Sequence, residues 1–258
     1  MTVAAMVAEF DDAAGWTAEA VEELGIQYAI PAACRGSASP GALAWLAEAC
    51  ELSAGTRLLD VGAGAGGPAA WVAEQFGVRP VLLEPMQAAS RAAARLFGLP
   101  VIAADGARIP LRTASMDAAW CLGVLCTMED KAALLGEINR VLTPGASLGL
   151  LVVVAQSPQC LPVPEGNYFP TQDDLEALLD RTGFTLIEQT GRHATPLSWS
   201  RRVDQVRGVI AARHRSAEAY ELAARQAECL SRLFATNQVS LELIHAVSLS
   251  RGSRARGR

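Results

Sequence analysis

Short runs of apolar and β-branched residues alternate, from residue 43 onward, with segments whose apolar residues recur every three or four positions. The short runs predict buried strands, and the longer spacing predicts amphipathic helices. This alternation is typical of a mostly parallel sheet with helices on both faces, so we expect an α/β fold. The predicted strands span residues 57–61, 80–84, 100–103, 116–122, 147–154, 185–190 and 241–249. The predicted helices between them span residues 68–76, 87–97, 131–141 and 172–182.

The regions outside this alternation predict a helical cap. Residues 197–236 predict two or three helices, and this segment is too long for an ordinary connection between strands. We expect it to form, with the N-terminal residues 1–45, a cap on a catalytic domain that spans residues 46–250. The alternative is that these amphipathic helices only cover one face of the sheet. Four arginines among small residues predict a disordered basic tail over residues 251–258.

Composition narrows the class of protein. The chain has 258 residues, of which 51% are hydrophobic and 19% are charged, and this predicts an ordered globular protein. The formal net charge of −5 gives no attraction to phosphate backbones, so no nucleic acid is expected as a substrate. The longest apolar run, residues 148–155, is too short for a bilayer core that needs about 20 residues. We expect a cytoplasmic protein without a membrane partner, present as a monomer or a homodimer.

Six cysteines are scattered along the chain without a C-x-x-C pair or a histidine at metal-ligand spacing. They are Cys34, Cys50, Cys121, Cys126, Cys160 and Cys229. We expect reduced, mostly buried thiols, with neither a disulfide framework nor a metal site.

A glycine-rich turn is the strongest chemical signal. Residues 58–68 read LLDVGAGAGGP, an apolar strand that enters a glycine turn and then a helix opened by proline. Gly62, Gly64 and Gly67 also fit the G-x-G-x-x-G spacing of dinucleotide binders, which alone is weak support. Asp60 argues against a pyrophosphate, because its carboxylate would repel one and would attract an ammonium or a sulfonium. The residue charges therefore favour a cationic ligand.

Two further acidic residues follow the second and third predicted strands. Glu84 ends the second strand, where a carboxylate is placed to accept hydrogen bonds from both hydroxyls of a ribose. Met86 is placed to cover one face of an adenine. Asp105, after the third strand, is placed to accept a hydrogen bond from the adenine amino group; the alternative is a plain surface turn with Gly106.

The chain as a whole resembles the class I methyltransferases, and within them the small-molecule branch that includes quinone, sterol and natural-product methyltransferases. The motifs that carry the resemblance, in chain order, are LLDVGAGAGGPA, VLLEP, AADGARIPL, SMDAAWCLGVLCTMEDK, EINRVLTPGASLGLLVV and FPTQDDLEALLDRTGF. The resemblance implies a Rossmann-like, seven-stranded, mostly parallel sheet that ends in a reversed hairpin. It also implies S-adenosylmethionine as the cofactor and S-adenosylhomocysteine as the product.

The resemblance also assigns cofactor contacts by position. Asp60, Gly62 and Gly64 correspond to contacts with the methionine end, Glu84 to the ribose ligand, Asp105 and Gly106 to the adenine edge, and Leu122 to a backbone contact after the fourth strand. The adjoining Ala63, Pro85, Met86, Ala107 and Gly123 are counted with them. Tyr28 resembles an N-terminal aromatic residue that covers the methionine end, although packing against the core explains this residue almost as well.

The catalytic group is less evident, because methyl transfer is a direct displacement that needs a base only when the acceptor must lose a proton. Many O-methylating relatives have a histidine after the fourth strand, where this chain has Leu125-Cys126-Thr127-Met128. The candidate base is therefore His193, after the sixth strand; the alternative is a structural loop histidine. Residues expected to line a substrate pocket are Cys126, Tyr168, Phe169 and Trp199.

The resulting hypothesis is methyl transfer from S-adenosylmethionine to a carbon, nitrogen or oxygen of a small, rather apolar metabolite, with proximity and orientation supplying the catalysis. A first alternative is a nicotinamide-dependent oxidoreductase, favoured only by the glycine spacing. A second is a relative that binds the cofactor without transferring a methyl group.

Overall fold

Seven strands form one sheet in the computed structural model, which describes residues 3–34, 38–158, 163–191 and 193–249. The strand order is β3-β2-β1-β4-β5-β7-β6, and all neighbours pair in parallel except β7, which is antiparallel to β5 and β6. The strands are β1 (Arg57–Val61), β2 (Arg79–Leu83), β3 (Val101–Ile102), β4 (Met116–Leu122), β5 (Leu142–Ala155), β6 (Phe184–Thr190) and β7 (Val239–Ser248). The predicted seven-stranded, mostly parallel sheet with a reversed last hairpin is confirmed.

The start of β5 differs from the prediction. The fifth strand was predicted to begin at residue 147, yet it begins at Leu142 and includes the turn-forming residues Thr143, Pro144 and Gly145. Leu142 pairs with Met116, and the next pair joins Ser147 to Ala118, so the intervening residues form a bulge. The turn chemistry is therefore accommodated inside the strand, where Gly145 takes a φ of +82°.

Helices connect the strands with ends close to those predicted. They are α1 (Val3–Leu24), α2 (Ala29–Ala33), α3 (Pro40–Ala49), α4 (Gly67–Phe76), α5 (Gln87–Phe97), α6 (Lys131–Val141), α7 (Gln172–Thr182), α8 (Leu197–His214) and α9 (Glu218–Ala235). Local chemistry sets these ends: Thr171 and Asp174 form a capping box at the start of α7, and Gly183 ends this helix in the left-handed conformation.

The helices cover both faces of the sheet. The path from β1 through α4 leads to β2 on one side of β1, whereas the path from β4 through α6 leads to β5 on the other side of β4. Right-handed crossovers in opposite directions place their helices on opposite faces. The central strands are consequently buried from both sides, and Leu58, Leu59 and Trp120 have no exposed surface.

Residues 197–236 form two helices, α8 and α9, and both pack against the N-terminal helix α1. These elements thus contact one another beside the sheet, and the division of the chain into a cap and a core domain stays a prediction. The basic tail at 251–258 and Cys160 lie outside the described residues. Within the described ranges, no helix is long and apolar enough to cross a membrane.

The contact between α2 and α4 generates a test of this packing. A Cβ atom at Gly67 would lie 2.5 Å from the carbonyl carbon of Ala33 and 2.5 Å from the amide nitrogen of Cys34, and backbone atoms cannot move aside easily. We expect Gly67→Ala to lower the free energy of unfolding by about 1–3 kcal/mol, measured by chemical denaturation.

The matched control is Gly136→Ala, at an exposed position of α6 where the new methyl group meets nothing within 4 Å. This variant should gain stability, by about 0.5–1 kcal/mol, because alanine is the better helix former. Equal effects of the two variants would contradict the packing of α2 on α4.

Candidate cofactor and substrate site

The carboxyl ends of β1, β2 and β4 meet at one edge of the sheet, where the strand order reverses between β1 and β4. Ligands of open α/β sheets bind at such a switch point. The glycine turn after β1 lies here, and Gly62, Gly64 and Gly66 have φ values of +69°, +55° and +83°. These left-handed conformations favour glycine, so the turn depends on glycine at these three positions.

Gly62 and Gly64 differ in what surrounds them. A Cβ atom at Gly62 would lie 2.3 Å from Cγ2 of Val124, in the loop after β4, whereas one at Gly64 would meet no atom within 4 Å. Gly62 therefore permits the two loops to approach each other. Gly64 borders open space, as expected of backbone that faces a ligand.

Glu84, directly after β2, joins this turn to its neighbour. Its side chain is 1% exposed, and its two carboxylate oxygens accept hydrogen bonds from the amide nitrogens of Gly64 (2.7 Å) and Met86 (2.9 Å). Each carboxylate oxygen has a further lone pair, so the group can still accept hydrogen bonds from a ligand. Glu84 thus links the glycine turn to the segment after β2, and it keeps lone pairs that could bind a ribose.

Asp60, in β1, is a buried carboxyl group with an incomplete set of partners. It is 2% exposed, and its Oδ2 has no hydrogen-bond partner among the residues described. Burial, and then the nearby Glu84, raise the pKa of Asp60 to about 7. Burial also raises the pKa of Glu84, against the lowering effect of its two backbone hydrogen bonds.

The two carboxyl groups have no countercharge among the described residues. No lysine or arginine in the described ranges forms an ion pair with Asp60 or Glu84. Those ranges also contain no group of three or more histidine, cysteine, aspartate or glutamate side chains that could hold a metal ion. Burying carboxylates without a partner is costly, so this edge of the sheet is suited to a cationic organic ligand.

Comparisons with known proteins agree with this geometry. A methyltransferase domain family matches residues 59–150. O-methyltransferase rstn1 of Aspergillus nomiae is 30% identical over 53% of this chain and 67% of its own length. The chain belongs to the S-adenosylmethionine-dependent class I methyltransferases.

Two more proteins extend the comparison. Methyltransferase GfsG of Streptomyces halstedii is 29% identical over 56% of this chain and 58% of its own length. The crystal structure of the [4+2]-cyclase SpnF superposes with a TM-score of 0.65 at 26% identity, over 80% of this chain and 79% of that one. Apart from rstn1, the chain spans little more than half the length of the first curated relatives it matches.

Membership of the methyltransferase family rules out the nicotinamide-dependent alternative. The residues present also fit S-adenosylmethionine, because the buried Oδ2 of Asp60 lacks a partner and the backbone at Gly64 is open. The assignment of individual contacts to Ala63, Pro85 or Met86 stays a prediction.

The remaining predicted cofactor contacts lie at the same edge. Asp105 is exposed, and its Oδ1 accepts a hydrogen bond from the Ala107 amide at 2.8 Å, which closes a local turn. Gly106 is tightly enclosed, since a Cβ atom there would lie 2.5 Å from Leu134. After β4, Leu122 is half-buried and Gly123 is exposed with a φ of +78°.

The predicted pocket residues divide into two groups. Cys126 is buried, and its sulfur accepts a hydrogen bond from the Val153 amide at 3.1 Å, so its side chain is turned toward β5. Burial raises the pKa of this thiol to about 11, which is inconsistent with a nucleophile. Tyr168 is 39% exposed, and Phe169 and Trp199 are half-buried against the core.

His193 follows β6, which runs parallel to β5 and so ends at the same edge of the sheet. Its ring lies 6.5 Å from that of Trp45 on α3, and its Nε2 atom is buried without a hydrogen-bond partner among the residues described. Tyr28 is half-buried in the cluster formed by α1, α2 and α8. The other two histidines have structural contacts: His214 stacks on Trp16, and His245 is hydrogen-bonded to Ser147.

Three residues at this edge were not predicted. Val124 packs over Gly62, and Asp11 contacts the start of α5. The ammonium group of Lys131 donates a hydrogen bond to the Met128 carbonyl and lies 5.4 Å from the centroid of the Tyr168 ring. The acidic residues near position 11 were visible in the sequence. Their partners were not, because Asp11 contacts a residue 77 positions away.

The raised pKa of Asp60 generates a prediction about stability without cofactor. A carboxyl group whose pKa is higher in the folded state binds its proton more tightly there, so stability is lost as pH rises between about 4 and about 7. Asp60→Asn should remove this loss and should exceed the parent by roughly 2–4 kcal/mol in free energy of unfolding at about pH 8. Urea denaturation across this pH range measures it.

Asp117→Asn serves as the control, because Asp117 forms an exposed ion pair with Arg57 and its hydrogen bond with Arg57 lowers the pKa of Asp117. The fall in stability between about pH 4 and 7 should persist in this variant. A parent protein whose stability does not fall over that range would contradict the assignment.

Proposed function

We propose that this methyltransferase transfers a methyl group from S-adenosylmethionine to a hydroxyl oxygen of a small, rather apolar molecule. The observation that carries the proposal is the pair of buried carboxyl groups, Asp60 and Glu84, beside the open backbone of Gly64. When bound, the cofactor supplies an electrophilic methyl group on a sulfonium; its carbon–sulfur bond breaks as an oxygen–carbon bond forms, leaving S-adenosylhomocysteine.

The protein contributes charge and position to this reaction. Asp60 supplies negative charge at the methionine end. Glu84 is held by the amides of Gly64 and Met86, and it accepts hydrogen bonds from the ribose hydroxyls. The Glu84 carboxylate need not move on binding, because its two backbone hydrogen bonds fix it in place. Alignment of acceptor and methyl group then supplies much of the acceleration.

A chain of contacts links the cofactor turn to His193. Val124 packs on Gly62, and Cys126, two residues later, is hydrogen-bonded to Val153 at the end of β5. Val153 pairs with Leu241 of β7, whose carbonyl oxygen lies 3.9 Å from a Cβ atom placed on Gly191. These contacts place the cofactor turn and His193 along the same carboxyl edge of the sheet, and they support an acceptor site between the two.

The side chains proposed to surround the acceptor indicate what kind of molecule it is. Trp45, Phe169, Trp199 and Phe234 are half-buried apolar side chains packed against the core, and they suit an apolar acceptor. The unpartnered Nε2 of His193 can take the proton that a hydroxyl group loses on methylation. Four curated relatives are named O-methyltransferases, and these names support oxygen as the methylated atom.

A second candidate function is cofactor binding without methyl transfer. Two observations favour it: the buried Cys126 occupies the position after β4 where many O-methylating relatives have a histidine, and one structural neighbour is a [4+2]-cyclase. In that case a small molecule would be converted while S-adenosylmethionine is not consumed.

The test is incubation with methyl-labelled S-adenosylmethionine and a panel of apolar phenols, alcohols and matched amines, followed by mass spectrometry. We expect label on oxygen in the parent protein. His193→Ala should lower kcat roughly 100-fold or more, with little change in the Kd for S-adenosylhomocysteine, since the histidine serves as a base.

His214→Ala is the matched control, because His214 stacks on Trp16 at a centroid distance of 4.4 Å and takes no part in the proposed reaction. It should retain the parent kcat. Unchanged kcat in His193→Ala, or label only on carbon or nitrogen, would contradict the proposal. A converted product without consumption of the cofactor would favour the second candidate.

A further inference from the structure

The N-terminal helix contributes a hydrogen-bond acceptor to the start of α5. Asp11 Oδ1 accepts hydrogen bonds from the amide nitrogens of Ala88 (2.6 Å) and Ala89 (3.0 Å). These are the second and third residues of α5, whose amides have no partner within the helix and are normally bound by the residue just before it. That residue here is Met86, whose side chain makes no capping hydrogen bond.

Asp11 therefore caps α5 from a different helix. A carboxylate at this position is also favoured by the positive end of the helix dipole. The cap matters for the cofactor site because α5 begins directly after Glu84, Pro85 and Met86. The start of α5 is further tied to the end of β2, since the Ser90 hydroxyl donates a hydrogen bond to the Glu84 carbonyl at 2.9 Å.

The helix that carries Asp11 is anchored on both sides of this contact. Toward its N-terminus, Met6 packs on Gly166 in the loop after β5, where a Cβ atom would lie 2.5 Å from the Met6 sulfur. Toward its C-terminus, Glu22 is hydrogen-bonded to Arg95 of α5. These contacts fix the position of α1, and they place Asp11 against the start of α5 rather than leaving it on a mobile end.

We propose that Asp11 is a positioning residue for the cofactor, which acts from α1 by fixing the start of α5 and so the Glu84–Met86 turn. The inference rests on the proposed function, because it assumes that Glu84 anchors the ribose. Asp11 need not touch the cofactor. Its effect is to make cofactor affinity depend on the N-terminal helix, which lies outside residues 59–150 of the matched family domain.

The experiment compares four variants of the full chain by calorimetric titration with S-adenosylhomocysteine. Asp11→Ala removes the cap while alanine preserves helix α1, and the Kd should rise about fivefold, because binding must then order the start of α5 against the roughly 1 kcal/mol that a lost cap costs. Asp11→Asn keeps an oxygen acceptor and should remain within about twofold of the parent. The KM for S-adenosylmethionine should follow the Kd, with kcat unchanged.

Two controls separate positioning from general docking of α1. Glu22→Gln weakens the exposed ion pair between the same two helices, and Asp12→Ala alters an exposed neighbour of Asp11. Both should bind within about twofold of the parent, even where thermal unfolding shows a loss of stability. Thermal unfolding is therefore recorded for every variant.

Three outcomes would overturn the inference. They are an unchanged Kd in Asp11→Ala, an equal loss of affinity in Glu22→Gln, and an Asp11→Asn variant as weak as Asp11→Ala. A parent protein that does not bind S-adenosylhomocysteine would instead overturn the proposed function itself, so the two failures are distinguishable.

Discussion

Two carboxyl groups buried side by side, without a cationic partner among the residues that the structure describes, set the main constraint on this molecule. Asp60 and Glu84 lie at the carboxyl edge of the sheet, and each is nearly inaccessible to solvent. Such a pair raises the energy of the free protein, and among the described residues the amides of Gly64 and Met86 relieve it by donating hydrogen bonds to Glu84. The left-handed glycine turn follows from this need, because it directs the Gly64 amide at Glu84 while leaving the backbone open to a ligand.

The same constraint links distant parts of the fold. Glu84 can hold its position only if the turn after β2 and the start of α5 are fixed, and the acceptor for the α5 amides comes from α1. The residues proposed to contact the acceptor lie on different elements, namely the loops after β5 and β6 and the helices α3, α8 and α9. The matched methyltransferase domain covers residues 59–150 and so includes the cofactor half but not His193 or Trp199. Family membership therefore identifies the cofactor, whereas the acceptor must be argued from residues outside the matched domain.

Most of the fold could be predicted because its signals are local. The helix at 172–182 was placed correctly because its apolar residues recur every three or four positions, and in the structure Thr171 caps its start and Gly183 ends it. The predicted start of β5 was wrong because pairing with Met116 overrides the turn residues, and pairing partners are not visible in a local pattern.

The two carboxyl groups of the site could be predicted by chemical reasoning, since their charge and their positions at the ends of apolar strands can be read from the sequence. Asp11 and Val124 could not, because each acts on a residue more than 60 positions away. The orientation of Cys126 toward Val153 depends on the packing of the loop after β4 on β5, so its predicted place among the pocket residues could not be checked from sequence.

The central claim is that a cationic cofactor supplies the charge that Asp60 and Glu84 lack. The most direct measurement is calorimetric titration of the parent protein with S-adenosylmethionine near pH 7, in two buffers that differ in ionisation enthalpy, with NADH as the comparison ligand. Because burial raises the pKa of Asp60 to about 7 in the free protein, part of the population is protonated near pH 7, and binding a cation should release a fraction of a proton per site. We expect this release together with no binding of NADH. Binding of S-adenosylmethionine without proton release, or preferential binding of NADH, would contradict the account.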